Sequence, residues 1–178
     1  MKKTFFLQII ILTTLSAFSQ TNSTVLHSAV TFQIKNMGIS VSGSFAGLQA
    51  DIKFNQADLT SGVINATVDA TTINSGNDSR DEHLKSIDFF DVAHYPKISL
   101  RSVSFKHKSG NNYSGLFNLV IRDKTKQIEI PFTYNETATS ATFKGSFKIN
   151  RLDYGIGGSS LILSNEVTVN IESEMIKP

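Results

Sequence analysis

Apolar residues at every second position most constrain what this chain can fold into. Val30, Phe32 and Ile34 alternate with polar residues. The same period recurs at 41–45, 50–54, 64–70, 98–105, 117–121, 128–132, 143–149 and 167–171. Side chains of a strand point to opposite faces in turn, so each segment reads as a strand with one buried face. About eight or nine such strands joined by short polar turns predict an antiparallel sandwich or barrel.

Local breaks in the pattern predict where the strands bend and turn. The alternation changes parity near Arg101-Ser102, which indicates a β-bulge. Turns are expected at 36–38, 109–112 and 122–124, where Gly, Asn and Asp accumulate. No repeat or linker interrupts the series, so we expect one domain over residues 20–178.

The N-terminus has the pattern of an export signal. Lys2 and Lys3 precede an apolar run at 5–18, and Ala17-Phe18-Ser19 has small residues at both ends, as signal peptidase requires. The run is short for a membrane span, although an uncleaved anchor remains the alternative. We therefore expect residues 1–19 to be a cleaved signal peptide and the protein to be periplasmic or secreted.

Composition narrows the classes of partner. The chain has 17 Lys and Arg against 15 Asp and Glu, and removal of Lys2 and Lys3 would balance the two. A neutral mature protein gives no reason to expect nucleic acid as a partner. The chain has no cysteine, so neither disulfides nor a cysteine-linked lipid anchor is expected.

The segment 78–96, DSRDEHLKSIDFFDVAHYP, interrupts the strand pattern. Ser79 and Glu82 have the spacing of a capping box, which predicts a short helix that begins at Ser79. Pro96 is expected to end this helical insertion. Its apolar side chains need a buried partner, and the open end of a barrel is the natural place; they are Leu84, Ile87, Phe89 and Phe90.

The same segment gives little support to a metal or catalytic site. His83 and His94 are too far apart for a paired ligand motif on one helix, and the acids lack the glycine-turned calcium loop. No nucleophile or phosphate-binding motif occurs elsewhere. We expect no catalytic residue and no metal, and so no enzyme; a small hydrolase-like enzyme using the 78–94 acid and histidine cluster is an alternative.

Three segments carry a resemblance to a known family. SAVTFQIKNMGISVSGSF, SRDEHLKSIDFFDVAHYPKISL and GSFKINRLDYGI resemble successive motifs of YceI-like proteins, and the resemblance runs from about Val25 to Ile176. Asp123 departs from the family, which often has glycine in this turn, but Asp tolerates unusual turn conformations.

The resemblance implies an all-β fold, a lipocalin-like eight-stranded antiparallel barrel with a short helical insertion near one end. It also implies a periplasmic carrier whose apolar tunnel holds an isoprenoid lipid of the quinone or polyprenyl phosphate type. Transient contact with a membrane and a monomer or homodimer would suit such a carrier, and no cofactor beyond the lipid is expected. The alternation alone leaves a fully packed core equally open, so an exported stress-response or interaction protein with a dry core is a further alternative.

The candidate lipid-binding residues are the inward apolar positions of the strands and the helical insertion. They are Phe32, Ile34, Val41, Phe45, Ile52, Phe54, Val68, Leu84, Phe89, Phe90, Ile98, Leu100, Phe117, Leu119, Ile130, Phe132, Phe143 and Phe147. Arg151 could meet a polar head group or pin the helix through Asp81 or Asp88, and the structural role is favoured.

Overall fold

The computed structural model describes residues 25–176, which form one antiparallel sheet with a short helix. The predicted signal peptide and the boundary at residue 20 lie outside the described residues. The strands are β1 (Val25–Asn36), β2 (Ile39–Phe45), β3 (Gln49–Lys53), β4 (Val63–Asp69), β5 (Lys97–Ser109), β6 (Asn112–Ile121), β7 (Lys124–Glu136), β8 (Ser140–Asn150) and β9 (Leu163–Ile176). The helix is α1 (Asp78–Lys85), and 3₁₀ turns occupy Leu59–Ser61, Ala70–Thr72 and Arg151–Tyr154.

The strand order is β2-β1-β9-β8-β7-β6-β5-β4-β3, with every neighbouring pair antiparallel. The predicted bulge is present in β5, where the register shifts between Ser102 and Ser104. Val103 lies in this bulge and is exposed, so it leaves the inward row that Leu100 and Phe105 continue.

Connectivity requires the sheet to curl. β2 and β3 are its two edges, yet only residues 46–48 join them. Four steps of chain span at most about 14 Å, so the two edges must approach each other. β2 pairs with the second half of β1, whereas β3 pairs with β4. Together β2 and β3 take the place of one barrel strand, which is broken at 46–48. The predicted lipocalin-like architecture of eight strands is therefore confirmed, with nine strands counted because of this break.

Hydrogen bonds join the end of β2 to the other edge of the sheet. Ser44 and Asn74 exchange backbone hydrogen bonds of 2.8 and 3.0 Å. The Ala46 amide donates to Thr72 Oγ1 at 2.9 Å. The end of β2 is therefore fastened to the segment that follows β4.

One end of the barrel is filled by aromatic rings. We call this the aromatic end; it contains Phe54, Phe105, Tyr113, Phe117, Phe132, Tyr134 and Phe143. Phe54 lies at its centre, with ring centroids 4.8 to 5.7 Å from five of the other rings. Such edge-to-face and tilted contacts are the favoured geometries of packed rings. This end of the barrel is a solid core.

The helical insertion lies at the opposite end, between β4 and β5. Its cap differs from the prediction, because Asn77 Oδ1 accepts from the Arg80 amide at 2.9 Å and α1 begins at Asp78. Ser79 is therefore inside the first turn. The helix ends at Lys85, and Ile87 follows it in an exposed turn, contrary to the expectation that it would be buried. Residues 86–95 continue as turns, held by bonds such as Phe90 N to Leu84 O at 3.0 Å.

Candidate functional site

An apolar cavity of about 300 Å³ occupies the barrel between the aromatic end and the helical insertion. Its walls are the inner faces of β1, β2, β4, β5, β6, β8 and β9. Along β1 the lining extends from Val30 to Asn36, roughly 20 Å at the rise of a strand. Many wall side chains, including Phe32 and Val169, are only half-buried although they point inward, because their inner surface faces the cavity.

Most of the sequence-predicted lipid-binding residues line this cavity. They are Phe32, Ile34, Val41, Phe45, Val68, Leu84, Phe89, Phe90, Ile98, Leu100, Leu119 and Phe147. The structure thus brings strand residues from both halves of the chain together with residues of the helical insertion, and their contact with a lipid stays a prediction.

The other predicted residues lie outside the cavity lining. Ile52, Phe54, Phe117, Ile130, Phe132 and Phe143 pack in the core at or beside the aromatic end. They point inward as predicted, but the space between them is filled by rings from neighbouring strands. Alternation identifies the inner face of a strand and carries no information on whether that face meets a void or another side chain.

Sequence reasoning missed the contribution of β9. Val167, Val169 and Ile171 line the cavity, and β9 lies between β1 and β8 in the sheet. Their alternation predicts the strand. The position of Val169 opposite Phe32 and Phe147 follows only from the strand order.

A row of rings connects the cavity wall to the insertion. Phe32 contacts Phe45 with centroids 5.6 Å apart, and Phe45 contacts Phe90 at 5.5 Å. Gly43 stands opposite Phe32 in the β1–β2 register, and a Cβ there would lie 2.3 Å from Phe32 Cζ. Glycine at this position therefore makes room for the Phe32 ring.

Backbone contacts hold the insertion in place. Gly157 donates to the Asp88 carbonyl at 2.8 Å. Arg122 Nη1 donates to the carbonyls of Phe89 at 3.0 Å and Gly155 at 2.6 Å. Its Nη2 lies 3.8 Å from the buried carboxylate of Asp91. Arg122 has φ 55° in the β6–β7 turn, so the unusual backbone there falls on Arg122 rather than on Asp123.

The charged and ionisable residues of the cavity lining are Arg80, His83 and Arg151. Arg80 Nε donates to Ser75 Oγ and its Nη2 to the Ser75 carbonyl, each at 2.7 Å. The buried Asp81 carboxylate in turn accepts from the Ser75 hydroxyl and amide. His83 packs edge-on against Phe89 with centroids 4.9 Å apart. Arg80 and His83 are both exposed, so they form a polar edge where the cavity meets solvent.

Arg151 has a structural position. It is 2% exposed and donates to the carbonyls of Ile156 at 2.8 Å and Ser164 at 2.9 Å. It also donates to Leu163 O at 3.4 Å and to Asn165 Oδ1 at 3.2 Å. Burial lowers the pKa of its guanidinium, and these oxygens compensate the charge.

The predicted partners of Arg151 are wrong. The Asp81 carboxylate bonds Ser75, and within the described residues the hydrogen bonds of Arg151 go to three backbone carbonyls and Asn165 rather than to Asp81 or Asp88. Arg151 thus pins the loop between β8 and β9 through carbonyls, and Arg122 holds the insertion instead. Every residue has a backbone carbonyl, so residue types do not reveal which carbonyls Arg151 contacts.

The acid and histidine cluster of 78–94 does not converge. Asp81 is turned towards Ser75, His83 lies against Phe89, and His94 Nδ1 contacts Asp91 at 2.8 Å. Within residues 25–176, no group of three or more His, Asp or Glu side chains is placed to hold a metal ion. Among residues 25–176, no helix is long and apolar enough to cross a membrane.

A curled antiparallel sheet around an apolar cavity, covered at one end by a helical insertion, defines a lipocalin-like barrel. The chain belongs to the family of YceI-like domains, which residues 23–175 match. A UPF0312 protein of Vibrio parahaemolyticus is 25% identical over 76% of this chain and 77% of its own length. Protein YceI of Escherichia coli is 29% identical over 58% of this chain and 54% of its own.

Solved structures share the fold. BcnA of Burkholderia cenocepacia superposes with a TM-score of 0.79 and 24% identity, over 83% of this chain and 95% of BcnA. The YceI protein of Campylobacter jejuni gives 0.72 at 25% identity, over 78% and 85%. A polyisoprenoid-binding domain from Saccharophagus degradans gives 0.71 at 16% identity, over 88% and 97%.

Proposed function

We propose that this protein is a non-catalytic periplasmic carrier that holds an isoprenoid lipid, with the tail in the cavity and the head group at the polar edge. The observation that carries the proposal is the cavity itself. Its lining is mostly apolar, and of its charged or ionisable side chains Arg151 is buried among carbonyls, whereas Arg80 and His83 stand at the exposed rim. A ligand that matches this distribution has a long apolar part and one polar end.

A comparison with a solved structure indicates which kind of apolar tail the cavity would hold. A structural neighbour with the same fold is described as a polyisoprenoid-binding domain. The rings and branched aliphatic side chains that line the cavity here suit a methyl-branched prenyl chain. The comparison supports an isoprenoid tail, while the head group has to be argued from the polar edge.

The physical balance suits a carrier. Moving a tail from water into the cavity gains roughly 0.8 kcal/mol per CH₂. Moving it from a bilayer gains close to nothing, because acyl chains are already apolar. Loading and unloading at a membrane are therefore nearly balanced, and modest changes in cavity packing should shift the amount bound.

The size of the cavity limits the tail. About 300 Å³ lies at the lower end of the roughly 300–1,000 Å³ typical of small-molecule sites. Its length is bounded by the aromatic end, which the described rings fill. The cavity therefore suits a short prenyl tail, or the first part of a longer one.

The polar edge favours an acceptor-rich head group. Arg80 is a permanent cation whose Nε and Nη2 are held by Ser75, an arrangement that presents the rest of the guanidinium in a fixed orientation. Phosphate and quinone oxygens both accept hydrogen bonds, but only a phosphate also gains from the charge. Arg80→Gln is expected to weaken a polyprenyl phosphate more than a quinone.

The test is the lipid content of protein purified from its own host, measured by native mass spectrometry and organic extraction. Val169→Phe adds bulk inside the cavity between Phe32 and Phe147 and should lower the bound lipid severalfold. Val103→Phe, at the exposed bulge, is the matched control and should retain it.

Three outcomes would count against the proposal. Stoichiometric lipid in neither wild type nor control would indicate a protein with a dry core. Equal lipid in Val169→Phe and wild type would place the lipid outside the cavity. Turnover of a bound lipid that His83→Ala abolishes would indicate an enzyme.

A further inference from the structure

Two loops beside the cavity expose large apolar side chains together. The β1–β2 turn presents Met37 and Ile39, which are 72% and 70% exposed. The loop before β9 presents Ile162 and Leu161, the latter 107% exposed and thus fully projecting. The Met37 amide donates to the Ile162 carbonyl at 2.8 Å, which fixes the two loops side by side. We call these four side chains the apolar tip.

The apolar tip adjoins the cavity. Asn36 and Leu163, the direct chain neighbours of Met37 and Ile162, both line it. The β1–β2 turn and the start of β9 are at the end of the barrel that carries the insertion. The apolar tip thus lies directly beside the rim of the cavity.

Both loops lack charge over a long stretch. No Asp, Glu, Lys or Arg occurs between Lys35 and Asp51, or between Asp153 and Glu166. Of the flanking charges, Glu166 is paired with Lys148 at 2.8 Å. A charged side chain in these loops would oppose entry into hydrocarbon, so the absence of charge permits it.

The shape of the tip disfavours a stable protein partner. A standard protein interface buries about 800 Å² and 20–30 residues on each side. Here the exposed apolar surface comes from four side chains on two loops, far fewer residues than such an interface needs. A fluid lipid surface can accommodate projecting side chains one at a time.

We propose that the apolar tip inserts into the surface of a phospholipid bilayer and places the rim of the cavity against the membrane. This inference rests on the proposed function for its purpose, the exchange of a lipid tail, but the docking itself can be measured independently. It assigns membrane contact to Met37, Ile39, Leu161 and Ile162.

The first experiment is a fluorescence measurement. The chain has no tryptophan, so Leu161→Trp introduces a unique reporter at the tip. Its emission should shift to the blue when vesicles of phosphatidylethanolamine and phosphatidylglycerol are added. The emission of Val103→Trp, the control at the exposed bulge, should not shift. Equal emission of Leu161→Trp with and without vesicles would overturn the proposal.

The second experiment is flotation of the full chain with the same vesicles. Leu161→Ser with Ile162→Ser should reduce vesicle binding by about tenfold or more, because two large apolar side chains no longer enter the bilayer. Leu26→Ser with Val103→Ser removes two other exposed apolar side chains and should leave binding unchanged. The hydrogen bond from Met37 to Ile162 uses backbone atoms and is retained in the tip variant.

Lipid content separates this inference from the proposed function. Normal lipid content together with undiminished vesicle binding by the tip variant would overturn the docking proposal alone. Tip-dependent vesicle binding by a protein that never contains lipid would support docking and overturn the carrier function. A change of oligomeric state in the tip variant, with vesicle binding unchanged, would show that the tip is a protein interface and overturn the docking proposal.

Discussion

The α-carbon of Gly157 lies directly against the ring of Phe89. A Cβ at Gly157 would lie 2.8 Å from Phe89 Cε1, and the glycine has φ +64°. Its amide also donates to the carbonyl of Asp88 at 2.8 Å. The loop before β9 and the helical insertion therefore meet at a point where only glycine fits.

Gly157→Ala should loosen this contact. The added methyl group meets the Phe89 ring, and the left-handed backbone conformation of residue 157 is unfavourable for alanine. We therefore expect a loss of about 1–3 kcal/mol in the free energy of unfolding. Urea denaturation measures the loss, and faster release of bound lipid should accompany it. Gly158→Ala is the matched control, because a Cβ there meets no described atom within 4 Å. Equal effects of the two substitutions would contradict the role of the contact.

Phe54→Ala and Phe45→Ala should separate the solid end of the barrel from the hollow one. Phe54 contacts five rings, and its removal should cost about 3–5 kcal/mol in the free energy of unfolding. Phe45 already faces the cavity on one side, so its removal should cost about 1–2 kcal/mol. Lipid content should fall in Phe45→Ala and persist in folded Phe54→Ala. Similar stability losses would argue against a difference in packing between the two ends.

Arg151→Met should be strongly destabilising despite the apolar replacement. It leaves the carbonyls of Ile156 and Ser164 buried without their donor, at a cost of about 3 kcal/mol in the free energy of unfolding. Arg151→Lys should recover only part of this, because one ammonium group cannot reach the positions of the guanidinium fork. Lys148→Met, which breaks an exposed ion pair with Glu166, should cost less than about 1 kcal/mol. Denaturant titration of the three variants is the measurement, and a stable Arg151→Met would refute the structural role.

The hydroxyl of Tyr154 predicts a pH effect. It is buried and makes no hydrogen bond within the described residues, and burial raises the pKa of Tyr154 from 10.0 to about 12. The folded state therefore holds this proton more tightly than the unfolded state. The free energy of unfolding therefore has its full value below pH 10 and falls as the pH rises from 10 to 12, because ionising the buried hydroxyl costs more in the folded state.

Tyr154→Phe should remove this contribution to the pH dependence. At neutral pH the variant should be as stable as wild type or more so, because it no longer buries an unpaired hydroxyl. Between pH 10 and 12 its free energy of unfolding should fall less steeply than that of wild type. Parallel curves for the two proteins over this range would show that Tyr154 is not the titrating group.

The sequence predicted the strands well, because alternation follows directly from the geometry of a strand with one face inward. Val30, Phe32 and Ile34 face inward as expected, and so does Phe54. Their surroundings differ, because Phe54 contacts rings from β5, β6, β7 and β8, whereas Phe32 lines the cavity. That difference depends on curvature and strand order, which no local pattern encodes.

The polar contacts were less predictable than the apolar ones. Arg151 donates to backbone carbonyls, and the hydrogen bonds of Arg122 also go to carbonyls, which residue types do not reveal. The helix cap is Asn77, two residues before the predicted Ser79. Both residue types are good caps, and the path of the backbone into the helix decides between them. Each of these depends on the path of a loop that the sequence leaves open.

The packed rings around Phe54 close one end of the barrel, so the cavity is not a channel that runs through it. A bound molecule cannot pass through the barrel and must enter and leave by the same opening. The part of the molecule that enters first therefore leaves last. An amphiphile would then always keep its polar end outermost. Any enzyme or membrane that receives the molecule would meet its head group before its tail, because the packed rings close the other end of the barrel.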